Sequence, residues 1–410
     1  MTARLVLIPN MCDHAFVIQA VFAHLGMAAE VMPPSDEESA ALGIDLVLGK
    51  ECTPCAYVVG DVIRRLRRPD IDPRRTALMM SSTGGPCRFG QYHVLMRHIL
   101  DEQKFGEVEI IYPTAENAYK GFGDDPTRFR SLAWRGIVAV DLLQALLHSH
   151  RPYEQQRGET DRLYQEALAR ILAAVRQGGR PLVRVMQGIG KSFRRLPVER
   201  LEPRPRIGVV GEIFVRQHQP SNRNVVREIE ALGGEVLLAN MMEFLYAVNW
   251  GYIQKCRQQG NWREIIGMWI TDAYQRYWEF RLSQPIADLL HHRFEARSAQ
   301  IMRYTATYMD PAISTEAILT VGKAVELAHQ GASGILNVLP FTCMPGLITA
   351  GLAPRIRQDL NGIPWLDLSY DMQQGTNLQT RLEAFMHQAV QHQRRRDLLQ
   401  STTGAAAPRE

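Results

Sequence analysis

Short apolar runs alternate with amphipathic stretches of helical period along the first 123 residues. The apolar runs predict strands at 4–8, 29–32, 44–48, 76–80 and 107–112. The stretches between them predict helices at 15–25, 56–68 and 92–100. Strands and helices that alternate at this spacing predict βαβ units and therefore a parallel sheet.

The middle of the chain has a longer, 3.6-residue period, and residues 124–205 are therefore predicted to be a helical connector. A second α/β alternation starts at Arg206 and continues to about residue 400, interrupted by a mostly helical insertion at 241–330. Residues 401–410 are predicted to be a disordered tail. The predicted fold class is α/β, with two Rossmann-like parallel-sheet domains, 1–123 and 206–400, and helical insertions.

Composition narrows the functional classes. The net charge of +4 on 410 residues, with scattered basic residues, gives no sign of a nucleic-acid-binding surface. No run of eighteen apolar residues predicts a membrane span, and the first residues indicate a strand rather than a signal peptide. We therefore expect a cytoplasmic protein whose six cysteines are reduced.

Cysteines recur at one kind of position in this pattern. Cys12, Cys52 (with Cys55), Cys87 and Cys343 each follow an apolar run that predicts a strand. The carboxyl ends of parallel strands lie along one edge of a sheet, where ligands bind and the next helix begins. A helix N-terminus stabilises a thiolate or an anionic group. This repetition predicts a metal cluster with sulfur ligands, of the iron–sulfur type rather than zinc.

Three of these cysteines leave alternatives open. The spacing of Cys52 and Cys55 at a helix start is also that of a dithiol redox motif, which would make the protein a thiol–disulfide oxidoreductase. Cys12 is equally compatible with a ligand and with a small buried side chain, whereas Cys256 lies in a helical stretch and is expected to be buried.

Six motifs carry a resemblance to a known family, and they are 49–54 (GKECTP), 83–92 (TGGPCRFGQY), 211–216 (GEIFVR), 232–236 (LGGEV), 340–346 (PFTCMPG) and 380–385 (TRLEAF). The chain resembles the 2-hydroxyacyl-CoA dehydratase superfamily and, within it, the acyl-CoA dehydratase activase-related branch. The likeness runs in order over residues 4–390. No ATPase domain of the kind fused to some members is recognised here.

The resemblance implies a [4Fe–4S] cluster held by Cys52, Cys87 and Cys343 between the two α/β domains. The fourth iron position would be open to water or substrate, or filled by Cys12 or Cys55, which would favour electron transfer. A separate ATP-dependent activator would supply one electron for dehydration or reduction of an acyl-CoA, by a lyase or a reductase component. A non-catalytic, cluster-bearing scaffold subunit is an alternative, and relatives are commonly dimers.

Residues beside the predicted ligands are candidates for supporting roles. Lys50 and Arg88 would offset cluster charge or bind a CoA phosphate, or else be surface cations. Ser82 and Thr83 would donate hydrogen bonds to a sulfur or a thioester oxygen, or simply stabilise their turn. Glu51 is a candidate acid–base group, although a solvated or paired carboxylate explains it as well.

Charged residues elsewhere are assigned less specifically. Glu212 and Arg216 follow the first strand of the second domain, where a site residue or an internal ion pair is expected. His14 is expected to be a surface or helix-capping residue. The same is expected of His291 and His292, which are adjacent to each other in the sequence.

Overall fold

Two four-stranded sheets form the framework of the protein. The computed structural model describes residues 4–82, 87–114, 117, 119–199, 203–313, 315–372 and 377–404. The strands are β1 (Leu5–Ile8), β2 (Ala29–Val31), β3 (Thr76–Met79), β4 (Glu109–Ile111), β5 (Arg206–Gly211), β6 (Glu235–Leu238), β7 (Gly334–Pro340) and β8 (Trp365–Tyr370).

Both sheets have the same topology. The first has the order β2-β1-β3-β4 and the second β6-β5-β7-β8, and every paired strand is parallel. The predicted α/β class with two parallel sheets is confirmed, and the arrangement is consistent with Rossmann-like domains. In each sheet the strand order reverses between the first and third strands in sequence, so each sheet has a topological switch point there.

Helices account for most of the remaining chain. Before the second sheet they are α1 (His14–His24), α2 (Glu37–Leu46), α3 (Thr53–Leu66), α4 (Tyr92–Glu102), α5 (Pro126–His150), α6 (Glu159–Arg176) and α7 (Leu182–Arg195). After β5 they are α8 (Ile213–Gln217), α9 (Gln219–Asn222), α10 (Val225–Ala231), α11 (Met241–Gln258), α12 (Trp262–Ser283), α13 (Ser298–Ala306), α14 (Glu316–His329), α15 (Met344–Asp359) and α16 (Leu378–Gly404). Short 3₁₀ helices are Pro73–Arg75, Arg88–Gln91, Arg151–Tyr153, Gln284–Leu289 and Pro311–Ile313.

Alternate side chains of the strands face opposite sides of the sheet and pack in different apolar cores. Val6 and Ile8 of β1 pack with α1 and the long helices α5 to α7, while Leu7 faces α3 and α4 on the other side of the sheet. In the second sheet, Val209 packs toward α10 and α16 and Val210 toward α14 and α15. Because both faces are covered, these strands are apolar throughout rather than alternating with polar residues.

The segments predicted as connector and insertion pack against each other. The ring of Trp134 in α5 lies 5.0 Å from that of Tyr246 in α11, and its Nε1 donates to the Gln275 carbonyl of α12 at 3.1 Å. Both segments contribute to one apolar core that also includes α1. This helical core therefore links the first sheet to the chain between β6 and β7.

The predicted strand at 44–48 is wrong, because this segment belongs to α2 and the loop after it. Asp36 caps the helix by accepting a hydrogen bond from the Ser39 N–H at 2.9 Å, as its sequence position allowed. Gly43 lies against the backbone of Ala56 in α3, which secures α2 as a helix packed on α3. Of the predicted tail 401–410, residues 401–404 belong to α16, and the remaining six lie outside the described residues.

The two halves of the chain meet where α3 begins. The Thr53 hydroxyl of α3 donates to the Tyr370 carbonyl at the end of β8, at 3.0 Å. His218, between α8 and α9, places Nε2 3.1 Å from the Ser35 hydroxyl, and its ring lies 5.3 Å from that of Tyr57. These contacts hold the carboxyl ends of the two sheets close together.

Among the described residues, no helix combines the length and the apolar character needed to cross a membrane.

The tight contact between α2 and α3 gives a test of this packing. A Cβ added at Gly60 would overlap the Ser39 carbonyl oxygen, so Gly60→Ala must push the two helices apart. We expect Gly60→Ala to lower the free energy of unfolding by about 1–3 kcal/mol, the usual range for overpacking. Chemical denaturation measures this change.

Gly251→Ala is the matched control. Gly251 lies inside α11 with no atom within 4 Å of an added Cβ. Alanine should therefore raise the stability by about 0.5–1 kcal/mol through helix propensity alone. Equal effects of the two substitutions would contradict the close packing of α2 on α3.

Candidate functional site

Three of the predicted ligands share one local structure. Cys52, Cys87 and Cys343 are the N-cap residues of α3, of the 3₁₀ helix that leads into α4, and of α15. Their φ and ψ angles are nearly the same, at −76° and 152°, −74° and 138°, and −68° and 116°. Each sulfur therefore lies at a helix N-terminus, where free N–H groups favour negative charge.

Backbone N–H groups already donate to two of these sulfurs. The N–H of Gly346 donates to Sγ of Cys343 at 3.4 Å. The thiol of Cys87 receives a backbone hydrogen bond from Phe89. Such donors stabilise thiolates and also tune the sulfurs of iron–sulfur clusters.

The thiol of Cys52 is within electrostatic range of the other two thiols across the junction of the two sheets. The thiol of Cys52 acts electrostatically on those of Cys87 and Cys343, and Glu212 acts on all three. Cys52 and Cys87 belong to the first half of the chain and Cys343 to the second. The tertiary structure thus assembles this group from three separate segments.

The element that precedes Cys52 differs from the predicted one. It follows α2 and the loop 47–51, not a strand, because the segment before it is helical. Its position comes from the packing of α3 against both α2 and the end of β8. Cys87 and Cys343 do follow strands, β3 and β7.

Burial strongly disfavours ionisation of these thiols. It is the main reason that the pKa of Cys52 rises to about 11 and that of Cys87 to about 12. The carboxylates of Glu212 and Glu316 raise the pKa of Cys87 and Cys343 further. Without a bound cation, all three side chains are therefore protonated at neutral pH.

The Cys52–Cys55 pair lacks the properties of a reactive dithiol. Cys55 is only 1 % exposed, and burial raises its pKa well above the usual value. Sγ of Cys52 is hydrogen-bonded to the hydroxyl of Tyr92 in the core. An attacking thiol works best with a pKa near the ambient pH, so neither sulfur is suited to disulfide exchange.

Cys12 lies in a different environment from the three N-cap cysteines. Its Sγ is 3.3 Å from Nδ1 of His14, and it packs against the helical core. His14 is buried between Cys12 and Asp141, so its predicted surface or capping position is wrong. Cys256 is buried in α11 as predicted, and His291 and His292 are exposed.

The candidate supporting residues have mostly local contacts. Arg88 donates to the Lys50 carbonyl and so ties the loop before α3 to the loop before α4. The Lys50 side chain is exposed, and Glu51 accepts from the Lys50 N–H at 3.1 Å. The Ser82 hydroxyl donates to the Gly90 carbonyl at 3.3 Å, as a turn hydroxyl would. Thr83 lies outside the described residues.

Two carboxylates border the cysteines. Glu212 follows β5, and its carboxylate accepts from the N–H groups of Phe214 at 3.1 Å and Val215 at 2.8 Å. Glu316 is the first residue of α14. Burial and the nearby Glu212 raise the pKa of Glu316 to about 8, although Arg216 opposes the shift. Glu316 is therefore largely protonated at pH 7.

Glu212 is a site residue that the sequence predicts, whereas Glu316 is not. Glu316 lies within the segment predicted as a helical insertion, and no local pattern indicates that α14 starts near Cys87 and Cys343. A long-range contact brings it there, and the sequence of one chain contains no signal for that contact.

The backbone is strained or constrained at two places that lead into the site. Thr342, just before Cys343, has φ of 62°, in the left-handed region that a β-branched residue rarely adopts. Gly211 has φ of 118°, and a Cβ there would overlap the Val338 carbonyl oxygen. Such strain often accompanies functional sites, where it positions a side chain.

The donor set fits an iron–sulfur cluster better than a single ion. Among the described ranges, which omit 83–86 beside Cys87, no group of three or more His, Cys, Asp or Glu side chains is arranged around one ion. A cluster binds each thiolate through a different iron, so its ligands stand farther apart than those of a single ion. Soft sulfur donors that accept from backbone N–H groups, as Cys87 and Cys343 do, are the kind of ligand that such a cluster takes.

Comparison with known proteins does not assign this site to a family. No protein-family model matches the chain, and no curated protein matches it significantly. The chemistry of the site must therefore be argued from its residues.

The raised pKa of Glu316 predicts how stability depends on pH. The folded chain holds a proton up to about pH 8, whereas the unfolded chain releases it near the usual value of 4.5. The contribution of Glu316 to the free energy of unfolding is therefore fully present below pH 4.5 and is lost as pH rises through 8. The loss amounts to at most about 1.4 kcal/mol per pH unit.

Glu316→Gln removes the titrating group and should flatten this loss in urea unfolding of the metal-free protein between pH 5 and 9. Glu383→Gln, at an exposed position of α16, is the control and should follow the original protein. Parallel pH profiles for Glu316→Gln and the unsubstituted chain would contradict the burial of Glu316.

Proposed function

We propose that this chain is a [4Fe–4S] protein of the 2-hydroxyacyl-CoA dehydratase and activase-related type. Cys52, Cys87 and Cys343 would hold the cluster between the two α/β units. The protein would transfer low-potential electrons or support radical chemistry on an acyl-CoA. The observation that carries this proposal is that three N-cap cysteines with extended backbone angles come from three separate segments, with Cys52 within electrostatic range of the other two.

The residues of the chain prepare the site for an anionic, sulfur-bound group. A bound [4Fe–4S] cluster supplies reversible one-electron transfer at low potential. Burial of Cys52 and Cys343 excludes water from the ligands, and the N–H groups of Gly346 and Phe89 stabilise the negative sulfurs. Because the free thiols are protonated, cluster binding must release protons and should strengthen as pH rises.

The placements of Cys12 and Cys55 do not support either as the fourth ligand. Cys12 contacts His14, and Cys55 is turned into the core beneath α3. We therefore favour a fourth iron position that water or substrate occupies, bordered by Glu212 and Glu316. Glu316, largely protonated at pH 7, would be able to donate a proton there.

An exposed apolar rim near the cysteines supports docking of a partner protein. Leu48 is 81 % exposed, and Phe341 and Leu347, on either side of Cys343, are each 60 % exposed. Large exposed apolar side chains that neighbour the predicted ligands in the chain are candidates for a contact surface, and electron transfer requires a close approach. We propose that the separate ATP-dependent activator binds at this rim.

A second apolar surface is compatible with dimer formation. Trp262, Trp269 and Ile270 of α12 are exposed, and they are joined by Ile266 and Tyr277 on the same helix. Large side chains of this kind are enriched in subunit interfaces. The dimer stays a prediction, as does the alternative of a cluster-bearing scaffold subunit without catalytic activity.

Anaerobic reconstitution with iron and sulfide tests the proposal. The expected product is brown and contains about four iron and four sulfide per chain. Cys52→Ser, Cys87→Ser and Cys343→Ser should each lose most of this iron, because each removes one of three ligands. Iron analysis and the EPR spectrum of the reduced protein measure the result.

Cys256→Ser and Cys55→Ser are the matched controls, since both replace a buried cysteine outside the proposed ligand set. They should retain the iron content of the original chain. A protein that stays colourless after reconstitution, or equal losses in ligand and control variants, would reject the cluster.

A further inference from the structure

A second group of reactive side chains lies at the end of β1. Sγ of Cys12 is 3.3 Å from Nδ1 of His14, and Nε2 of the same ring is 2.9 Å from Oδ1 of Asp141. Asp141 also accepts from the N–H groups of Met241 at 3.1 Å and Met242 at 2.8 Å. A thiol, an imidazole and a carboxylate thus form one continuous line.

Burial increases along this line. Asp141 is 3 % exposed and His14 is 4 % exposed, whereas Cys12 is partly exposed. Cys12 also lines a cavity of about 460 Å³ between the first turn of α1, α5, α6 and the segment 216–224. The sulfur is therefore the member of the three that a ligand in this cavity would meet.

The hydrogen bonds determine which nitrogen of His14 can take a proton. Two N–H groups at the start of α11 donate to the two carboxyl oxygens of Asp141 and so hold its side chain in place. The carboxylate accepts from Nε2–H, which leaves Nδ1 free to accept the proton of Cys12. Burial disfavours the imidazolium, but the facing Cys12 and Asp141 outweigh it and raise the pKa of His14.

Donors for a developing negative charge are also present. The N–H groups of Asp13 and His14, at the start of α1, have no acceptor among the described residues. Arg216 lines the same cavity and is buried, and its Nε has no hydrogen-bond partner in the described part of the chain. The amides of Gln144, Gln217 and Asn224 line the cavity as well. A carbonyl oxygen of a ligand would satisfy such donors.

We propose that Cys12, His14 and Asp141 form a second active site, in which Cys12 is the nucleophile toward an activated acyl group such as a thioester. This activity is independent of the cluster at Cys52, Cys87 and Cys343. It uses the arrangement of nucleophile, base and orienting carboxylate that recurs in acyl-transfer enzymes of unrelated folds.

The reaction needs no oxidant or reductant. His14 takes the proton of Cys12 as the sulfur attacks the acyl carbon, and the bond from that carbon to the leaving thiol breaks. The leaving thiol takes the proton from His14, which completes acylation of Cys12. Water then attacks the acyl group, gives its proton through His14 to the Cys12 sulfur, and leaves a carboxylic acid.

A purely structural role for the same residues makes different predictions. Asp141 joins α1, α5 and α11, so the line could serve only to hold these helices together. His14→Gln separates the two roles, because the Gln amide can still donate to Asp141 but cannot accept the thiol proton. A structural role would leave the reactivity of Cys12 intact in this variant.

Acylation by S-acetyl-N-acetylcysteamine tests the proposal in the full-length, metal-free chain. We expect release of the thiol and, in protein quenched with acid within the first turnover, before water removes the acyl group, a mass increase of one acetyl group located on Cys12 by peptide mapping. Cys12→Ala should abolish the adduct and His14→Gln should slow its formation about 10²–10⁴-fold, the usual contribution of a general base. Circular dichroism should show both variants folded.

Three outcomes would overturn the proposal. They are the absence of an adduct on Cys12, an adduct on another cysteine instead, and unchanged acylation in His14→Gln. If His14→Gln does not fold, the pH profile of Cys12 alkylation by iodoacetamide in the unsubstituted chain decides, because a thiol that His14 deprotonates reacts at lower pH than free cysteine, and a profile like that of free cysteine would overturn the proposal. Cys52→Ser should acylate normally, which separates this result from the failure of the cluster proposal.

Discussion

The start of α3 against the end of β8 is the contact on which the candidate site depends. The hydrogen bond from Thr53 to the Tyr370 carbonyl joins the two halves one residue after Cys52. Phe214, from the second half, packs in the same apolar core as Cys52 and Tyr92. If this contact were lost, Cys52 would separate from Cys343, and no three-thiol group would remain. The apolar core excludes water from the thiols and also holds them together.

The repeated topology explains why reactive residues collect at this edge. The residues that follow β1 and β3 include Cys12 and Cys87, and those that follow β5 and β7 include Glu212 and Cys343. These strands flank the switch point of each sheet, where side chains from neighbouring loops can meet. Equivalent positions carry different chemistry, however. The position after β1 contributes a cysteine and a histidine, whereas the position after β5 contributes a carboxylate.

The buried charges of the protein fall into two kinds. Lys323 forms ion pairs with Glu295 and with Glu326 at 2.7 Å, and such a group satisfies its own charges and stabilises its own surroundings. Burial instead raises the pKa of Cys87 and of Glu316, although Arg216 opposes the shift of Glu316. These groups therefore stay largely protonated at neutral pH and do not form ion pairs of the Lys323 kind.

The sequence by itself determined most strands and helices, the α/β class and the three cysteines at helix starts. Apolar periodicity acts over a few neighbouring positions, and so do the residues that end a strand or begin a helix. Such local signals can be recognised in a single sequence. Only the tertiary structure decided that 44–48 is helical, because Gly43 packs against α3, and that His14 is buried between Cys12 and Asp141. It also placed Glu316 near Cys87 and Cys12 against His14. These features arise from contacts between residues far apart in the chain, which depend on how whole helices and sheets pack and therefore leave no local pattern.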